Sequence, residues 1–123
     1  MAYSAYLLTE QSRADLLGLL LPLYDKVICH HVTVEYGIPE SSKVPKHAKL
    51  EVIGFASDRF CQALVVTVDG EEFRPNGARF HITHSLDSAS GKKPVYSNEL
   101  LKYSRIYKFR DPVQFTAHPA ILR

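Results

Sequence analysis

Two segments of the chain carry histidine and threonine at the same spacing, His31-Val32-Thr33 and His81-Ile82-Thr83. Each lies in an apolar, β-branched run and reads as part of a strand. Along a strand, residues i and i+2 project to one face. His31 should therefore stand beside Thr33, and His81 beside Thr83. Two imidazoles and two hydroxyls on separate strands are the groups needed to split a phosphodiester. One histidine takes a proton from the attacking oxygen and the other gives one to the leaving oxygen. Imidazole titrates near neutrality, so the two can hold different protonation states at one pH. In-line displacement puts base and acid on opposite sides of the phosphorus, hence the need for two strands. A hydroxyl two residues on can donate to a non-bridging phosphate oxygen and stabilise charge developing there. Such a scheme needs no metal.

The remaining histidines are expected to stand outside this chemistry. His30 and His84 sit at odd offsets from the motif residues and should point to the opposite faces of their strands. His47 and His118 belong to no motif. A His30–His84 metal pair would lack a third ligand at suitable spacing. Cys29 and Cys61 lie in apolar runs without zinc-type spacing and read as buried, reduced thiols.

The elements that must position the two motifs follow from hydrophobic patterning. Tyr3 to Leu8 reads as a strand. Thr9 or Ser12 can cap a leucine-rich helix over 14–21, which Pro22 ends. That helix is apolar on nearly all sides and should lie against a sheet. Lys26 to Tyr36 reads as one strand carrying the first motif. Residues 48–56 and 60–68 read as a hairpin around Ser57-Asp58-Arg59, followed by an Asp69-Gly70 turn. Residues 78–86 form the strand of the second motif. A short helix over 98–103, capped by Ser97, leads to two strands over 104–109 and 112–117, separated by Arg110-Asp111. The order β-α-β-β-β-β-α-β-β favours an α+β fold with mainly antiparallel strands.

At 123 residues the chain is expected to form one domain over 1–123, with enough apolar content (46%) to build a core. A net charge of +2 argues against gripping long duplex nucleic acid by charge alone, but leaves room for a small anionic ligand. No N-terminal stretch resembles a signal peptide and no apolar run is long enough to span a bilayer. A cytoplasmic protein is the expectation, in the host cytoplasm if the source is viral.

His31-Val32-Thr33-Val34 and His81-Ile82-Thr83-His84 resemble the twin H-x-T/S-x motifs of the 2H phosphoesterase superfamily. Lys92-Lys93-Pro94-Val95-Tyr96-Ser97-Asn98 resembles the loop after the second motif in its RNA-repair-like branch. The second motif departs from the pattern in ending on His84 rather than an apolar residue, and the chain is short for the family. The resemblance implies a bilobal α+β fold with a central cleft and metal-independent, cofactor-free hydrolysis. Its substrate would be a cyclic phosphate or phosphodiester of an RNA end or a cyclic (oligo)nucleotide. It implies His31 and His81 as the acid–base pair, with neither assigned to one role, and Thr33 and Thr83 as phosphate ligands. Tyr36 is a candidate base-stacking ring at the cleft rim, and Lys92, Lys93 and Tyr96 are candidates to meet phosphate or base. The competing expectation is a nucleotide-binding module without turnover, such as a sponge or RNA-end sensor. A third is an interaction domain whose histidines are packing residues.

Overall fold

The run Cys-Gln-Ala-Leu-Val-Val-Thr-Val forms a strand buried on both faces, as its apolar Ala-Leu-Val-Val centre should. In the computed structural model, which describes residues 1–123, this strand is β5 (Cys61–Val68). It follows β1 (Ala2–Leu8), α1 (Glu10–Leu19), β2 (Lys26–Val27), β3 (His31–Ile38) and β4 (Leu50–Ser57). After it come β6 (His81–Leu86), α2 (Ser97–Tyr103), β7 (Tyr107–Phe115) and β8 (Ala117–Leu122). Two antiparallel sheets result, one ordered β3-β1-β8 and the other β2-β6-β5-β4-β7. The fold is α+β with two helices and mainly antiparallel strands. No helix is long and apolar enough to cross a membrane.

The core follows from alternation along β5. Leu64 and Val66 face Leu50, Val52, Ile82 and Phe115, and Tyr6, Leu8 and Val32 of the smaller sheet close over them with Leu16. On the other side, Ala63 and Val65 join Ala56 and Leu86 against Leu100 and Leu101 of α2. Gly54 marks a register shift in β4 where β7 comes close. A Cβ there would stand 2.5 Å from the Tyr107 carbonyl oxygen. Gly54→Ala is therefore expected to lower stability by about 2 kcal/mol, read as a fall in the urea midpoint with an unchanged slope.

Several elements differ from the sequence reading. The leucine-rich helix starts earlier, because the Thr9 hydroxyl accepts from Ser12 N–H and caps it at Glu10. Only Ser12 and Leu16 of that helix are buried, and Leu19, Leu21 and Leu23 are exposed. The short helix begins at Ser97 itself, which lies inside α2 and not at its cap. The two strands expected around Arg110-Asp111 are one strand, β7, with its pairing to β4 interrupted between Lys108 and Val113. The chain then adds β8 beside β1, a strand the sequence reading missed.

The largest correction lies at the first motif. Lys26 to Tyr36 is not one strand. Lys26 and Val27 pair with β6, and the Ile28 and Cys29 amides continue that ladder to the His84 and Thr83 carbonyls. Cys29 then adopts a left-handed conformation, with φ of 44°. Immediately afterwards Leu8 N–H donates to the His30 carbonyl, and the chain has joined the other sheet. Arg13 braces the crossing through two bonds to the Ile28 carbonyl. β3 thus leaves β6 as an edge strand of the smaller sheet, yet the two strands remain in contact. Each sheet brings one motif to that seam.

Candidate active site

His31, Thr33, His81 and Thr83 line one cleft of about 590 Å³. On β3, cross-strand pairs align Leu7 with His31, Ala5 with Thr33 and Tyr3 with Tyr36. Directly opposed residues share a face, so His31, Thr33, Tyr36 and Tyr3 all look the same way. Strict alternation would turn Tyr36 away from Thr33. The register shift that leaves Val34 unpaired restores it. On β6, His81 and Thr83 oppose Val65 and Ala63, on the side covered by α2. Ser85 opposes Gln62 and Thr83 opposes Ala63, so His84 is the extra residue of a second bulge.

The two motif imidazoles differ in what holds them. His81 Nδ1 lies 3.0 Å from the Arg79 carbonyl oxygen. A carbonyl only accepts, so Nδ1 carries the proton and a neutral His81 presents an unprotonated Nε2. Burial pushes the His81 pKa down and the nearby Arg74 charge adds to this, against the bond that His81 donates to the Arg79 carbonyl. His31 Nδ1 meets His30 Nδ1 at 2.9 Å, one of the two donating. Burial lowers its pKa to about 4, with His30 and His81 pushing in the same direction. Both motif histidines are thus neutral at pH 7 in the unliganded protein. Each is close enough to charge on its neighbours to respond when an anion enters.

The hydroxyls also differ. Thr33 is partly exposed and makes no side-chain bond within the chain. Thr83 donates to the Pro94 carbonyl at 3.1 Å and lies 2.8 Å from Ser97 Oγ. Ser97 in turn lies 3.4 Å from Cys61 Sγ, so Thr83 sits at the end of a small buried polar chain.

Tyr36 is 72% exposed and lines the cleft. Its ring stacks on Tyr3 with centroids 5.2 Å apart and planes 9° from parallel. Tyr3 in turn sits 5.3 Å from the His31 ring. Lys93 lines the same cleft. Lys92 and Tyr96 do not. They line an adjoining shallow hollow that shares Lys93, Val95 and Asn98 with the main cleft. The Tyr96 hydroxyl donates to Asp58 at 2.5 Å, which pushes its pKa up to about 12, and the Lys92 ammonium lies over the Tyr96 and Phe60 rings.

Of the cleft residues that were not anticipated, three bear on the chemistry. His30 was expected on the opposite face and instead lines the cleft, because the left-handed turn at Cys29 breaks the alternation. Asn98 lines the cleft with its Oδ1 buried and unpartnered. Arg74 is 7% exposed and reaches the cleft from the loop between β5 and β6. The Arg74-Pro75-Asn76-Gly77 run, with Gly77 at positive φ, signals a turn but not the direction of the arginine. His84, by contrast, does not line the cleft. It is buried with both ring nitrogens unpartnered, the nearby Leu20 carbonyl falling outside hydrogen-bond geometry. Burial lowers its pKa and keeps it neutral. No three His, Cys, Asp or Glu side chains converge as a metal-binding group.

Comparison with protein-family models, with curated proteins and with solved structures gives no match to this chain. The functional reading therefore rests on the residues and their geometry.

Proposed function

We propose that the chain is a 2H-type phosphoesterase. It hydrolyses a cyclic phosphate or phosphodiester of RNA or of a cyclic (oligo)nucleotide by two-histidine acid–base catalysis. The observation that carries the reading is the convergence of His31, Thr33, His81 and Thr83, from two sheets, on one cleft.

Their environments favour a division of labour. His81 is the base: its Nδ1–H is held by Arg79, and its bare Nε2 is left for the nucleophile. His31 is the acid. A bound phosphodiester anion raises its depressed pKa, and His30 supplies a second imidazole that can share the proton. For a 2′,3′-cyclic phosphate, His81 takes a proton from water as the water oxygen bonds to phosphorus. The bond from phosphorus to one ribose oxygen breaks, and His31 protonates that oxygen. The product is a ribose phosphomonoester, and the proton gained by His81 returns to His31 through solvent. Thr33 donates to a non-bridging oxygen. Thr83 does so by exchanging its bond to Pro94 for one to phosphate.

Incubation with EDTA and a panel of 2′,3′-cyclic nucleotides, cyclic dinucleotides and cyclic trinucleotides tests the reading. Turnover that disappears in the His31→Ala, His81→Ala double variant is expected. Silence across the panel, or turnover that survives in that variant, would sink it. Tyr36 gives a separate prediction. Stacking a base on an exposed aromatic ring contributes about 1–3 kcal/mol. Tyr36→Ala should therefore raise KM for a nucleotide substrate roughly tenfold while changing kcat less than about threefold. An unchanged KM would remove Tyr36 from the binding surface.

The engagement of Thr83 with Pro94 and Ser97 favours a second reading, a nucleotide-binding module without turnover. Calorimetry showing tight binding of a nucleotide recovered unchanged would select it.

A further inference from the structure

Arg74 poses a problem of charge. Its side chain is buried, and a buried guanidinium normally faces a carboxylate. Here no Asp or Glu lies within salt-bridge distance, the chain's ion pairs all being elsewhere. Its one side-chain bond runs from Nε to the Val34 carbonyl at 3.1 Å. The terminal amines have no partner in the chain, yet they are not sealed from solvent, and the side chain lines the cleft. Backbone bonds fix its position. Arg74 N–H donates to the Ala78 carbonyl at 2.7 Å, and the Arg74 carbonyl accepts from Gly77 at 2.9 Å. The residue belongs to a loop between strands of the larger sheet, while Val34, which anchors it, is the bulged residue of β3 in the smaller one. The guanidinium therefore bridges the seam where the two motifs meet.

We infer that Arg74 is a catalytic residue whose free amines bind the non-bridging oxygens of the scissile phosphate and stabilise the charge that builds on them. This rests on the phosphoesterase reading for the reaction, but not for the anion. A planar fork held by its Nε leaves two parallel N–H groups matched to two oxygens of a phosphate. Its charge is already felt by His81, which it helps to keep neutral and basic. The incoming phosphate supplies the counter-charge that the fold withholds. Thr33 and Thr83 then act as lateral donors, with the guanidinium as the principal electrostatic partner.

Three measurements test this. Arg74→Gln should lower kcat about 10²–10³-fold, and Arg74→Lys should recover roughly tenfold of that loss. Inorganic phosphate should bind the wild type, and Arg74→Gln should weaken its Kd at least about tenfold. In the wild-type protein, saturating phosphate should shift the Arg74 side-chain NH and the His81 ring signals in NMR spectra, a readout that needs no variant to fold. If the wild type turns over substrate and Arg74→Gln matches it in kcat and in phosphate Kd, the inference fails and the phosphoesterase reading stands. If nothing is hydrolysed but phosphate binding depends on Arg74, the anion site stands and that reading fails. Phosphate that leaves the Arg74 signals unmoved at saturation, or does not bind at millimolar concentration, overturns the inference.

Discussion

His81→Ala is expected to lower kcat for a nucleotide phosphodiester by about 10³-fold, and His31→Ala by a similar factor. In the proposed mechanism the imidazoles act in one displacement, so the double variant should lose little more than either single one. The fold should tolerate both changes. Each side chain is only partly buried at the cleft, and neither belongs to the two apolar clusters that hold the sheets together. Binding of a product mononucleotide, followed by calorimetry, should weaken less than about fivefold, because a base supplies little ground-state affinity. A His81→Ala enzyme within tenfold of wild type would assign the proton transfer to another group. His30 is then the nearest imidazole to test, since it already touches His31.

The second large effect is on pH. Both motif histidines have depressed pKa values in the unliganded protein, His31 at about 4. In the proposed mechanism the productive form needs one proton on the pair, and at pH 7 that form is scarce. kcat/KM should therefore climb about tenfold for each unit of pH lowered from 8 towards 6. It should pass through a maximum on the acid side of the ordinary imidazole value and fall once the base is protonated as well. The profile for kcat should lie further towards neutral, because the bound anion raises the pKa of the acid. A flat profile between pH 6 and 8 would contradict the assignment. The same shifts tie stability to pH. A pKa lowered by folding means that the unfolded chain binds more protons. The histidine contribution is thus complete above the unfolded value near 6.5 and is lost as pH falls towards about 4. The melting temperature should fall across that window.

Local pattern was enough to find the motifs, the hairpin and the mixed class. His31 and Thr33, and likewise His81 and Thr83, share a face because period-2 geometry needs no tertiary information. Their arrival at one cleft does need it, and depends on a sheet crossing at Cys29 that an apolar run conceals. His30 was misplaced for that reason. Tyr36 reaches the cleft through a bulge, and no composition signal marks a bulge at a valine. The exposed leucines after α1 show the opposite error. A run of Leu reads as core, but only Leu16 finds a buried site there, with Leu17 and Leu20 partly covered. β8 was missed because Ala117-His118-Pro119 carries a strand breaker, which an edge strand tolerates. Arg74 was invisible because a turn sequence fixes its backbone, while its side-chain direction comes from Val34, forty positions away.

The unpaired Val34 ties two roles together: it sets the face of Tyr36, and its carbonyl holds Arg74. A one-residue slip that drew Val34 into the ladder would restore regular pleating along β3 beyond Thr33. The Tyr36 ring would swing outward and the Glu35 carboxylate inward, while His31 and Thr33 stayed in place. On the proposed reading, a surface that welcomes an aromatic, negatively charged guest would then repel it, and the carbonyl that holds Arg74 would move as well. In this scaffold, a shift of one residue at one edge changes both what enters and how its charge is met.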